Sequence, residues 1–120
     1  MEKTHIVIAE PKELLRKVLA DRFSIENFQV YEAVNGEELL DLMTSVRVDI
    51  IVAEELLPFK NGVEIIKDAT RLNIPVIIIS DADLESKILE AFELGASDFI
   101  DKPFSPNEVV ARVKNVLRKK

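Results

Sequence analysis

Along the chain, short runs of β-branched and other apolar residues alternate with stretches in which apolar positions recur every three or four residues. The runs predict strands at Ile6–Ala9, Gln29–Glu32, Ile50–Glu54, Val76–Ser80 and Phe99–Asp101. In the first, third and fourth the apolar character is almost continuous, as in strands covered by helices on both faces. Leu14, Leu15, Val18, Leu19 and Phe23 predict the buried stripe of a first helix, and Leu39, Leu40, Leu42 and Met43 that of a second. Ile88, Leu89 and Phe92 predict a fourth helix ended by Gly95, while Val109, Val110, Val113, Val116 and Leu117 supply the inward face of a fifth. Helix starts carry chemical marks: Asn35 precedes Glu38, Asn61 precedes Glu64, and Ser105 precedes Glu108 with Pro106 at the first helical position. The last reads as a full capping box.

Such alternation is the mark of βαβ units and a mostly parallel sheet. Five strands and five helices fit a doubly wound, three-layer α/β/α fold with strand order 2-1-3-4-5, the flavodoxin-like arrangement. Ligands in such sheets bind at the carboxyl ends of the strands, where the strand order reverses. That rim collects Glu10, Glu54, Ser80 and Lys102, two carboxylates with a hydroxyl and an amine. From spacing alone it is a candidate site for anionic chemistry, and equally the ordinary polar rim of an α/β protein.

Composition narrows the classes. At 120 residues one domain spanning 1–120 is expected, burying roughly two-thirds of the surface its unfolded chain exposes. Hydrophobic residues at 48% and charged residues at 32% lie far from the signature of disorder. The net charge of −6 argues against a nucleic-acid footprint, and Arg118-Lys119-Lys120 is a short solvated helix end. Without Cys there is neither a disulfide framework nor a thiolate metal site. The longest apolar runs are too short to span a bilayer, and Met1-Glu2-Lys3 leads directly into a strand, so a cytoplasmic protein is expected. His5 has no ligand-spaced partner, and Gly62 and Gly95 read as turn and cap residues.

The segments Ile6-Val7-Ile8-Ala9-Glu10, Asp49-Ile50-Ile51-Val52-Ala53-Glu54-Glu55-Leu56-Leu57-Pro58, Pro75-Val76-Ile77-Ile78-Ile79-Ser80 and Gly95-Ala96-Ser97-Asp98-Phe99-Ile100-Asp101-Lys102-Pro103-Phe104 resemble the receiver domains of bacterial response regulators, the CheY-like superfamily of two-component phosphorelays. The resemblance implies a pocket in which an acidic pair after the first strand holds Mg²⁺; its first member falls on Glu10 and its second on Pro11, which has no ligand atom. The phosphoacceptor aspartate falls on Glu54, with the carbonyl of Leu56 as a metal ligand. Ser80 matches the hydroxyl that bonds the phosphoryl group, Lys102 the lysine that pairs with it, Pro103 a cis proline, and Phe99 the switch aromatic, here without a phenolic hydroxyl. The last helix is similar to that of OmpR/PhoB-type receivers, which dimerise through helix 4, strand 5 and helix 5. On that face Asp98 and Arg112 match a cross-dimer ion pair and Glu108 half of another.

Mg²⁺ demands a near-octahedral oxygen shell, and in-line phosphoryl transfer depends on positioning and charge neutralisation. With Pro11 and Glu54 in place, the expectation is an atypical pseudo-receiver that acts by protein contacts without being phosphorylated. It has no cofactor beyond weak Mg²⁺ and no catalytic activity of its own. The alternative is a working receiver that autophosphorylates from a histidine kinase or small phosphodonor at Glu54. Flavin binding on the same fold is disfavoured, because Glu10-Pro11-Lys12-Glu13 lacks the hydroxyl- or glycine-rich amides that cradle a phosphate. Glu55 as a substitute ligand is disfavoured by strand alternation, which aims it away from Glu54. Glu54 itself either imitates the activated state, drawing Ser80 toward it and Phe99 inward, or makes an ion pair to Lys102 with no signalling role. The partner is a separate protein, an attached effector domain or a second copy, not nucleic acid directly and not a membrane.

Overall fold

A computed structural model describes residues 2–81 and 85–119. Its elements follow in strict alternation: β1 (His5–Ala9), α1 (Glu13–Ile25), β2 (Gln29–Ala33), α2 (Gly36–Ser45), β3 (Ile50–Glu54), α3 (Gly62–Arg71), β4 (Val76–Ser80), α4 (Glu85–Leu94), β5 (Asp98–Asp101) and α5 (Pro106–Arg118). The strands form one parallel sheet in the order β2-β1-β3-β4-β5, with Ala9 beside Ala53, Glu54 beside Ile79 and Ser80 beside Asp101. β3 and β4 are buried at every residue, which explains why their sequences carry no polar alternation.

Period-two alternation divides the sheet's side chains between two cores. Ile6, Ile8, Ile50, Val52, Ile77, Ile79 and Ile100 pack with Leu19, Phe23, Val109, Val110 and Val113 under α1 and α5. Val7, Ala9, Ile51, Ala53, Val76, Ile78 and Phe99 face the other way, against Leu39, Met43, Ile65, Ile66, Ala69 and Ala91 of α2, α3 and α4. The helix on each crossover therefore covers one face, and the carboxyl ends of all five strands emerge at one rim.

Helix caps follow the sequence in part. The Asn35 and Asn61 side chains accept from the Glu38 and Glu64 amides at 2.9 and 3.0 Å. The full capping box is at Asn61, where Glu64 returns a bond to the Asn61 amide. At Ser105, where the sequence suggests a full box, only half is made: Ser105 accepts from the Glu108 amide, and the Glu108 carboxylate is drawn instead to Arg112. Gly95 ends α4 with φ +112, a conformation that a side chain would strain. Gly36 opens α2 against Lys60, whose Cγ would lie 2.5 Å from an added Cβ.

Two positions expected in the α1 core are outside it. Leu14 is 80% exposed and Val18 is also exposed, while Leu19, Ala20 and Phe23 are buried. Leu14 and Val18 lie one turn apart on the outward side of the helix, and the apolar stripe in the sequence is wider than the arc the sheet can cover. Likewise Leu89 and Phe92 of α4 are exposed, Ala91 being the one buried residue of that helix. Leu19→Ala should therefore cost about 2–5 kcal/mol in urea unfolding, whereas Leu14→Ala should stay within about 0.5 kcal/mol of the parent. Equal losses at the two positions would contradict the placement of α1.

Candidate functional site

Four of the rim residues singled out by sequence converge. Glu10 follows β1, Glu54 closes β3, Ser80 closes β4 and Lys102 follows β5. Glu54 is only 7% exposed although it carries a carboxylate, because β3 is the central strand and its end lies beneath the loops of the rim. Lys102 Nζ lies 3.1 Å from Glu54 Oε2, off the alignment of a hydrogen bond, so the contact is an ion pair. The Lys102 amide donates to Ser80 O at 3.0 Å, and the Lys102–Pro103 peptide is cis.

Glu10 is buried and already engaged. Its Oε2 accepts from the Lys12 amide at 3.0 Å, and its carbonyl accepts from Arg16 Nη1 at 2.9 Å. Arg16, buried on α1, also bonds Glu32 Oε1 at 3.0 Å through Nε. The sequence reading passed over Arg16. The signal available was an arginine inside the apolar arc of a helix, which calls for buried acceptors.

Burial is the strongest influence on Glu54 and raises its pKa above the ordinary 4.5; pairing with Lys102 opposes the rise, and the charges of Glu10 and Asp81 add to it. For Lys102, burial pulls the pKa down, but bonding and attraction to Glu54 outweigh this and leave it above the ordinary 10.5. The carboxylate lies deeper and loses more hydration, while the ammonium keeps its charge among three acids.

Of the switch residues, Ser80, 1% exposed, donates to Glu55 Oε1 at 2.6 Å. Glu55 Oε2 lies 3.6 Å from Lys87 Nζ on α4. Phe99 is buried, facing inward beside Ile78. Glu55, which the sequence reading turned away from Glu54, is indeed on another side, and that side is where Ser80 lies. The signal was the parallel register: once Glu54 pairs with Ile79, the next position on each strand brings Glu55 alongside Ser80.

The residues present do not fit Mg²⁺. Pro11 has no donor, Glu10 Oε2 is held by a backbone amide and Glu54 Oε2 faces an ammonium. Among the described residues, no group of three or more His, Cys, Asp or Glu side chains could hold a metal ion. On the far face, Arg112 Nη1 lies 3.0 Å from both Asp98 carboxylate oxygens, and its Nε lies 3.1 Å from Glu108 Oε2. All three residues are thus joined within one chain. His5, whose ring is stacked on Tyr31 with Nδ1 3.2 Å from its hydroxyl, is tied to the sheet edge.

The family model for the response regulator receiver domain matches residues 6–114. The chain belongs to that family. It is 36% identical over 118 residues to the transcriptional regulatory protein SrrA of Staphylococcus aureus, covering 95% of this chain and 48% of that protein. The chain thus spans about half the length of such curated relatives. Among solved structures it is similar to the receiver domain of Francisella response regulator 1452, with 26% identity, a TM-score of 0.90 and 98% of each chain covered. It is also similar to DrrB, a Thermotoga maritima OmpR/PhoB homologue, at 26% identity and TM-score 0.88, covering 98% of this chain and 54% of that one. Among the described residues, no helix of this receiver is long and apolar enough to cross a membrane.

The Glu54 titration gives a testable sign. A carboxylate that binds its proton more tightly folded than unfolded contributes stability that is complete below its unfolded value and is lost as pH rises through its raised folded value. Glu54→Gln removes that titration. Relative to the parent, its urea midpoint should therefore rise as pH increases from about 4.5 through the raised folded value. A relative midpoint that stays level or falls over this range would contradict the raised value.

Proposed function

We propose that this receiver transmits its signal by protein contacts, without phosphorylation at Glu54. The observation that carries the reading is the Glu54–Lys102 ion pair: the carboxylate at the acceptor position is already neutralised by the lysine that the family resemblance assigns to the phosphoryl group. With Pro11 at the second acidic position, the charge neutralisation that phosphoryl transfer needs lacks its metal side. On this reading the pocket is a structural ion pair, the chain has no catalytic activity or cofactor of its own, residues 1–120 form one domain, and the place of work is the cytoplasm.

The contact surface proposed is α4, β5 and α5, on which Leu89 and Phe92 of α4 are exposed and Asp98, Arg112 and Glu108 form a charged network. Its occupant is an effector domain, a separate protein or a second copy of the chain. For a homodimer, Arg112 would exchange its partner Asp98 for that of the other copy, a swap of like for like that costs little at a half-exposed pair. A net charge of −6 makes direct contact with nucleic acid unfavourable for this part of the protein.

Intact-mass measurement after incubation with acetyl phosphate and Mg²⁺ tests the reading. The parent should gain no phosphoryl group. A Pro11→Asp, Glu54→Asp double variant should gain one, since it restores both a second ligand and the shorter acceptor. An adduct on the parent at Glu54 would establish instead a working receiver.

A further inference from the structure

Glu55 occupies a place that none of the rim chemistry described so far requires. Its amide donates to Ile79 O at 2.9 Å, extending the β3–β4 ladder by one bond and fixing the backbone of Glu55 next to the end of β4. Its side chain reaches Ser80 Oγ at 2.6 Å, within the range of a charge-assisted O–H···O⁻ bond. A serine hydroxyl has one proton to donate. While Glu55 holds it, that proton is not available to a group bound above Glu54.

We infer that Glu55 is the positioning residue of the switch in this chain: its carboxylate takes the place of a phosphoryl oxygen as acceptor for Ser80 and so holds Ser80 and Phe99 in the arrangement seen. The bond itself matters most: Ser80 is 1% exposed, so a charge-assisted bond lost between Glu55 and Ser80 is not readily replaced by one to water. Lys87, 3.6 Å from the other oxygen and itself largely solvated, adds little beyond orienting the carboxylate toward α4. Phe99 lies one strand away beside Ile78, in the same core as Ala91 of α4, so a shift of the β4 end is felt by packing at the ring and at the helix. Glu54, by contrast, is bound to Lys102 and does not set the hydroxyl.

The inference deepens the reading that the receiver works without phosphorylation and rests on it. NMR of the whole chain tests it, with the Phe99 ring signals and the exchange rate of the Lys102 amide, which donates to Ser80 O, as readouts. In Glu55→Ala the Phe99 signals should move or broaden and the Lys102 amide should exchange about tenfold faster or more. Glu55→Gln, which retains an acceptor oxygen, should restore both, and Lys87→Ala should leave the Phe99 signals as in the parent. Should Glu55→Ala fail to fold, Ser80→Ala removes the same bond from its donor side and should reproduce the Phe99 and Lys102 changes. Unchanged Phe99 signals in a folded Glu55→Ala or Ser80→Ala chain would overturn the assignment of Glu55, as would a Glu55→Gln chain that behaves like Glu55→Ala. A phosphoryl adduct on Glu54 of the parent would remove the phosphorylation-free reading and leave these outcomes to judge Glu55 alone.

Discussion

The rim depends on β3, a strand buried at all five residues between β1 and β4 and ending in an acid. A carboxylate in that position cannot turn to water, so its charge has to be met by the protein or removed by a proton. Lys102 meets it, brought over by the end of β5, while Glu10 from the end of β1 adds a second negative charge from the opposite side. The pocket is thus an arrangement of fixed charges around one buried acid, and the two-core packing of the sheet holds those charges where they are.

The proposed function rests on this arrangement. One ammonium neutralises one carboxylate, and the remaining acid, Glu10, spends an oxygen on the Lys12 amide. A divalent cation would meet the remaining oxygens of Glu10 and Glu54 with an ammonium 3.1 Å from Glu54 Oε2 and with Pro11, which offers no side-chain ligand, next to Glu10. On the signalling side of the rim, Ser80 is bonded to Glu55, Phe99 is buried, and α4 presents Leu89 and Phe92 outward.

Most of the fold was legible because both of its periods are strong in this chain. The nearly unbroken runs Ile50–Glu54 and Val76–Ser80 read as strands covered on both sides, and their alternation with helical stripes fits the strand order found. What was not legible depended on competition between side chains for one partner. Glu108 has the spacing of a capping box but lies a turn from Arg112, whose guanidinium draws it away. Leu14 has the period of a core residue but falls outside the arc that the sheet covers. At the site, position placed Glu54 and Lys102 at one rim and the family resemblance offered their ion pair as one alternative, whereas the commitment of Ser80 to Glu55 needed the β3–β4 register, which the paired strands display. The partners of Arg16 were hidden for a similar reason, since Glu10 O lies just after β1 and Glu32 in β2, away from its own helix.

The claim that the acids of the rim are already satisfied from within is tested most directly by titrating the chain with Mg²⁺ while following the amides of Glu10, Glu54 and Lys102 by NMR. The charge arrangement described here predicts no saturable shift below about 1 mM Mg²⁺. Saturable shifts of those three amides below that concentration would contradict it.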